Sequence, residues 1–383
     1  MTEGAELPGI GLVRQHDLYI DDKNALTLES GVAFGPLNIR YECYGTLNAD
    51  KSNAVLIVHA FSGDAHAAGY HSSDDRKPGW WDSMIGPGKA FDTDRYFIIC
   101  SNTLGGCTGT SGPGSINPAS GEPYALDFPV ITIQDMVETQ RILIDHLGID
   151  QLLAIAGGSM GGMQVLEWSI RYPERLRTAI VIASTGRLSA QGIAFNAVGR
   201  NAIMSDPHWN GGQYYGKDQI PRQGLSIARM VGHITYLSEE SMRVKFGRRL
   251  QTRDDFNFDF SDQFQVESYL EYQGDQFVER FDANSYIYLS KAMDYYDFSS
   301  RYGTMDSTID RSTASFLVIS YSSDWLFPSY QSKELVYAMM RRGKDVSYTE
   351  LDSPYGHDAF LLETGRQEII VSSFLKSAME GRR

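Results

Sequence analysis

Three side chains, far apart along the chain, are of the types that nucleophilic acyl chemistry needs. Ser159 lies in Gly157-Gly158-Ser159-Met160-Gly161-Gly162, a G-x-S-x-G element that follows the apolar run Leu152-Leu153-Ala154-Ile155-Ala156 and opens a helical pattern. A strand before and a helix after are what a nucleophile elbow requires. The serine occupies a tight, strained turn, and small neighbours such as Gly157 and Gly161 let the two backbones approach. A hydroxyl is a poor nucleophile at neutral pH, so it needs a histidine base, and the histidine needs a carboxylate to fix its tautomer. The order Ser, Asp, His then points to Asp324, just past the apolar run 316–320, and to His357, just past 346–351. The oxyanion needs two backbone N–H donors. Met160, after the nucleophile, supplies one, and Phe61, in the loop after Val55-Leu56-Ile57-Val58, supplies the other through its amide rather than its ring. Asp358, beside the histidine, reads from spacing alone either as a solvated carboxylate or as a substrate contact.

The remaining polar candidates read as structural. His16, His146 and His208 lie in surface-like contexts, and His66 and His71 in a polar loop. His59 and His233 suit satisfied buried roles. Asn102-Thr103-Leu104-Gly105-Gly106-Cys107 is glycine-rich but contains neither G-K-[ST] nor G-x-G-x-x-G, so it is not a phosphate loop. Cys43, Cys100 and Cys107 lack metal-ligand spacing, and no metal is expected.

The elements that must position these groups are short apolar runs: 54–58, 96–100, 152–156, 178–183, 316–320 and 346–351. Helical periodicity separates several of them. In 133–147 it has Thr132 as N-cap and Gly148 as stop, and in 160–172 it ends at Pro173. Such alternation predicts a mostly parallel sheet with helices on both faces. It breaks between 186 and 300, where helical patterns such as 224–231 and 285–295 take over. This segment is about 30% of the chain yet holds 19 of its 45 aromatic residues. The expectation is a catalytic core of residues 1–185 and 301–383 interrupted by a helical lid at 186–300, with a homodimer formed through that lid.

With 34 basic and 48 acidic side chains the net charge is −14, a surface that disfavours nucleic acid and anionic membranes. No apolar stretch has signal-peptide or membrane-spanning length, and three cysteines make no disulfide framework, so a cytoplasmic location is expected.

Taken together, the motifs resemble the homoserine O-acyltransferases of the α/β-hydrolase superfamily. The resemblance rests on His59-Ala60-Phe61-Ser62-Gly63, Pro78-Gly79-Trp80-Trp81, Ile85-Gly86-Pro87-Gly88, Leu104-Gly105-Gly106-Cys107, the elbow, Ala228-Arg229-Met230-Val231-Gly232-His233-Ile234-Thr235-Tyr236, Arg280-Phe281-Asp282-Ala283-Asn284, Ser323-Asp324-Trp325 and Gly356-His357-Asp358. It implies an α/β-hydrolase fold with the Ser159–Asp324–His357 triad. It further implies that Arg229 grips the homoserine carboxylate and Asp358 its amino group. Phe61 stands where leucine is usual, a change an amide donor tolerates. Members resembling the succinyl type carry arginine directly after the tryptophan of the Asp-Trp pair. Here that residue is Leu326, which favours acetyl-CoA as co-substrate over succinyl-CoA unless Arg187 or Arg222 substitutes. The implied activity is acetyl transfer to L-homoserine in methionine synthesis, by a ping-pong acyl-serine route with no permanently bound cofactor. A succinyl donor, a serine acceptor, a plain esterase or a non-catalytic binding module are the alternatives. An acidic enzyme that binds polyanionic CoA should also carry a basic patch at the mouth of its tunnel.

Overall fold

A computed structural model describes residues 8–251 and 255–381. The strands are β1 (Gln15–Ile20), β2 (Leu26–Thr27), β3 (Ala33–Phe34), β4 (Leu37–Tyr44), β5 (Ala54–Val58), β6 (Phe97–Ser101), β7 (Leu152–Gly158), β8 (Leu176–Ile182), β9 (Ser315–Tyr321) and β10 (Val346–Leu351). Eight of them form one sheet in the order β1-β4-β6-β5-β7-β8-β9-β10, and β2 and β3 make a separate hairpin. From β6 to β10 all pairings are parallel, and β1 and β4 join the β6 edge antiparallel. β5, β7 and β9 are buried along their whole length, as continuous apolar runs covered on both faces must be.

The helices are α1 (Ile133–His146), α2 (Met160–Arg171), α3 (Ala190–Ser205), α4 (Arg222–Tyr236), α5 (Glu239–Lys245), α6 (Gln265–Val278), α7 (Ala283–Tyr295), α8 (Met305–Ile309), α9 (Ser329–Arg341), α10 (Ala359–Leu362) and α11 (Thr364–Met379). α1 begins at the expected Thr132 cap, closed into a capping box by Asp135, and stops where Gly148 turns with φ +66°. Buried apolar side chains fall into two clusters. One contains Leu166 and Trp168 of α2, the other Phe374 and Leu375 of α11.

Between β8 and β9 the described chain adds α3 to α8 and no strand of the main sheet, with α3 to α7 inside the segment 186–300. The two ends of this insert meet: Arg187 bridges Asp297, and Phe298 N donates to Gly186 O at 2.7 Å. The six parallel strands lie within two residues of their expected bounds. The antiparallel β1 and β4 were not anticipated, because β4 (LNIRYECY) interleaves charges with apolar residues and one of those charges, Glu42, is fully buried.

Candidate active site

Ser159 stands between β7 and α2 with φ 58° and ψ −124°, a conformation that costs a non-glycine residue about 1–3 kcal/mol and must be held from outside. Ser159 N donates to Ile182 O on β8 at 3.0 Å, and Ser159 O accepts from Ser184 Oγ at 2.7 Å. A Cβ at Gly157 would come within 2.7 Å of the Gly161 backbone, and one at Gly161 would strike the Val58 carbonyl. The two glycines therefore permit the close crossing of β7, β5 and α2 that the elbow needs.

Asp324 and His357 follow the C-terminal ends of β9 and β10, as the chain order predicts, and both are buried. His357 Nδ1 donates to Asp324 Oδ2 at 2.8 Å, while Asp324 Oδ1 accepts from Leu326 N at 3.0 Å and Phe327 N at 2.8 Å. Ser323 Oγ ties the two loops together, donating to Ser353 O and accepting from Gly356 N at 2.9 Å. Burial pulls the His357 pKa down, but the charge and hydrogen bond of Asp324 and the charge of Asp358 outweigh it, leaving the imidazole above its usual range. Ser159 and His357 line the same cavity without a direct hydrogen bond. Bonds of this kind often tighten only when substrate is in place.

That cavity measures about 390 Å³, and its wall includes Phe61, Trp80, Arg229, Tyr236, Arg280 and Asp358. Among the described residues the amides of Phe61 and Met160 have no acceptor, which leaves both free for an oxyanion. The Phe61 ring instead packs edge-on against Tyr286 of the insert, centroids 4.9 Å apart.

The insert reaches the site through the end of α4. Trp325 Nε1 donates to Leu237 O at 2.9 Å, Ser238 Oγ donates to Pro354 O, and a Cβ at Gly356 would meet Ser238 N at 2.5 Å. Two turns back along α4, Arg229 lies over the rings of Phe277 at 4.6 Å and Tyr236 at 5.4 Å. Its Nη1 makes a long contact to Ser62 Oγ, 3.4 Å, and its buried Nε has no partner among the described residues. Asp358 is held above its ordinary pKa because burial outweighs the favourable charges of His357 and Arg229. A guanidinium with a free donor and an undercompensated carboxylate thus line one cavity together with Ser159.

Leu326 lines a second, smaller space of about 50 Å³ that Ser159 also borders, with Phe61, Phe195, Val231, Tyr286 and Phe327. Among the described residues no lysine or arginine contributes to its wall. Arg187 and Arg222 face outward, paired with Glu334 and Glu279.

Sequence reasoning missed Arg280. Its Nη1 donates to Ser62 O at 2.9 Å and its guanidinium lies 5.2 Å from the Phe277 ring, opposite Arg229 in the cavity wall. An arginine just after a helix reads as a solvated C-terminal charge, and the motif Arg280-Phe281-Asp282-Ala283-Asn284, though part of the family resemblance, gives it no role of its own. Among the described residues the expected basic patch is not present in this cavity: its two arginines are matched by Asp64 and Asp358 in the same wall. A larger groove of about 990 Å³, between the β2 segment and α1, has its charges committed to one another through Arg141–Glu138, Arg171–Glu138 and Arg301–Glu29. His59 is satisfied as expected, through Ala60 O and Thr103 N. His233 is held neutral, its pKa lowered to about 3 by burial and by Arg229, Lys245 and Arg280. Burial raises the thiols of Cys43 to about 12 and Cys107 to about 11, which makes both unreactive.

Residues 53–364 match a family model described as alpha/beta hydrolase fold. Homoserine O-acetyltransferase of Methanosphaerula palustris is 60% identical over 350 residues, 91% of this chain and 71% of that protein. Homoserine O-acetyltransferase of Desulfotalea psychrophila is 56% identical over 360 residues, 93% of this chain and 92% of that protein. The chain belongs to the homoserine O-acetyltransferase family of α/β hydrolases. Among solved structures, a homoserine O-acetyltransferase from Bacillus anthracis superposes with a TM-score of 0.88 at 31% identity, covering 95% of this chain and 98% of that one. Esterase E22 matches equally, with a TM-score of 0.88 at 31% identity, covering 95% and 100%. The architecture of this family thus occurs in proteins named as transferases and as esterases. Among the described residues no helix is long and apolar enough to cross a membrane.

Proposed function

We propose that the protein transfers an acetyl group from acetyl-CoA to the side-chain hydroxyl of L-homoserine, releasing CoA and O-acetyl-L-homoserine for methionine synthesis. The observation that carries this reading is the division of space around Ser159: a small neutral pocket walled by Leu326, and a cavity presenting Arg229 and Asp358. A succinyl carboxylate placed in the small pocket would be desolvated without a cation, which is strongly disfavoured.

Ser159 Oγ attacks the thioester carbon while His357 Nε2 takes its proton, and the oxyanion rests on the Phe61 and Met160 amides. Collapse expels the CoA sulfur, which takes the proton back from His357, and acetyl-Ser159 remains. Homoserine then docks with its carboxylate on Arg229 and its ammonium on Asp358, a geometry that suits each group's unmet need. His357 removes the proton of its hydroxyl, the hydroxyl oxygen attacks the acetyl carbon, and the proton returns to Ser159 Oγ as the ester leaves. Every proton passes through one nitrogen, and the ping-pong cycle balances without a cofactor.

The insert serves as the lid of this cavity. Its outer helices expose Ile193, Val198, Met204, Ile227 and Ile234, an apolar surface suited to a second copy of the chain. The acidic surface and three unpaired cysteines fit a cytoplasmic enzyme.

A CoA-release assay crossing acetyl-CoA and succinyl-CoA with L-homoserine and L-serine tests the reading. The expected result is fastest release with acetyl-CoA and homoserine, serine being slower by about 10- to 200-fold for its missing methylene. A preference for succinyl-CoA would refute the donor assignment. Release at the same rate with no amino acid present would make the protein a hydrolase.

A further inference from the structure

Away from the triad, Glu42 of β4 has a side chain with no exposed surface, and among the described residues its ion-pair partners are histidines only. Its partners are His66 Nδ1 at 3.1 Å from Oε2, His71 Nε2 at 2.7 Å from Oε1, and the Tyr44 hydroxyl at 2.8 Å from Oε2. The two imidazoles lie with ring centroids 3.8 Å apart, too close for both to be cationic at low cost. The nitrogens and carboxylate oxygens that converge here all lie within 4.8 Å of one another. Bonds of about 2.0–2.2 Å to a tetrahedral zinc-class ion place neighbouring ligand atoms about 3.4 Å apart, inside the range these atoms already span. A dication neutralises the carboxylate and engages both imidazoles at once, whereas a single proton charges only one of them.

We propose that Glu42, His66 and His71 form a site for a divalent, zinc-class transition-metal ion, bound by two imidazoles and one carboxylate with a fourth position left for water. His66 also lines the catalytic cavity, which gives the ion an entry path and the water a place. Both histidines come from the loop that follows β5 and carries Phe61, and Glu42 comes from the antiparallel edge of the sheet. The bound ion therefore clips the oxyanion loop to β4. Spacing could not reveal the site, because Glu42 is 24 residues upstream of His66 on a different element. The site is separate from the acyl-transfer cycle and does not rest on that reading.

The test uses the full chain without a histidine tag, stripped with a chelator and titrated with Co²⁺. The expected result is one saturating ligand-field spectrum per chain, displaced by Zn²⁺, and a thermal midpoint raised by Zn²⁺. Half-exposed His71 is the ligand least needed for folding, so His71→Asn should weaken Co²⁺ binding by more than about tenfold and abolish the thermal shift. The surface control His208→Asn should change neither. Absence of saturable binding in the unsubstituted chain, or one-per-chain binding that survives both His71→Asn and His66→Asn, would overturn the proposal.

Discussion

Asp324→Asn puts the proposed triad under the sharpest test, because the structure dictates which way the new amide must face. Asp324 Oδ1 accepts from two backbone donors, Leu326 N and Phe327 N, so an asparagine must keep its oxygen there. Its NH₂ then points at His357 Nδ1 from the position of Oδ2, now 2.8 Å away as a donor rather than an acceptor. His357 must answer with a lone pair on Nδ1, which moves its proton to Nε2, the nitrogen that has to accept from Ser159. The base is present but in the wrong tautomer. In serine triads this costs about 10⁴ in kcat, or about 5 kcal/mol of barrier. The pH profile supplies an independent sign. The Asp324 charge is the largest influence holding the His357 pKa above its usual value against burial, so removing it lowers that pKa. The acid limb, where activity falls as the base protonates, should therefore move to lower pH. Steady-state CoA release between pH 5 and 9, with thermal unfolding as a folding control, reads both effects. A folded variant with kcat within tenfold of the parent and an unmoved acid limb would refute the triad.

Arg229→Gln removes a cation that lines the cavity. Charge-assisted bonds worth about 1.5–3 kcal/mol should vanish, lowering kcat/KM for homoserine about 10- to 150-fold while leaving acetyl-Ser159 formation from acetyl-CoA alone unchanged. Equal losses in both half-reactions would contradict the acceptor role. Leu326→Arg places a guanidinium in the wall of the 50 Å³ pocket, so the ratio of succinyl to acetyl transfer should rise by about a hundredfold. An unchanged ratio would show that this pocket does not hold the acyl group. Glu167, buried on α2, has its carboxyl pushed up to about 7 by desolvation against the weaker pull of Arg171. A carboxyl raised by folding costs nothing below its unfolded pKa near 4.5, and the cost grows as pH rises and is complete above 7. It reaches about 3 kcal/mol. Glu167→Gln should therefore gain thermal stability over the parent at pH 8 and little at pH 5. Identical pH dependence in the two proteins would remove this account.

Some of this was legible in the sequence because local rules apply with little interference. The central parallel strands β5, β7 and β9 are almost wholly apolar runs, since strands covered on both faces need no polar alternation. Thr132 and Gly148 bracket α1 for reasons contained within a few residues. Ser159, Asp324 and His357 could be placed because the C-terminal ends of the parallel strands β7, β9 and β10 share one edge of the sheet, so chain order brings them together.

What escaped is what depends on contacts between distant segments. Glu42 breaks the apolar pattern of β4, and only the loop bearing His66 and His71 explains how such a carboxylate can be buried there. Arg280 looks like an ordinary helix-end charge until Phe277 is seen to hold it and Arg229 on one cavity wall. Resemblance to known motifs singled out Arg229, but its placement in the cavity wall is tertiary: α4 is pinned at Leu237 and Ser238 to the loops that carry Asp324 and His357. The same pinning explains how an insert with no strand in the main sheet can hold a cation in the wall of the cavity that Ser159 lines. A substitution that loosens Ser238 or Trp325 should accordingly act on the homoserine half-reaction before it affects acylation.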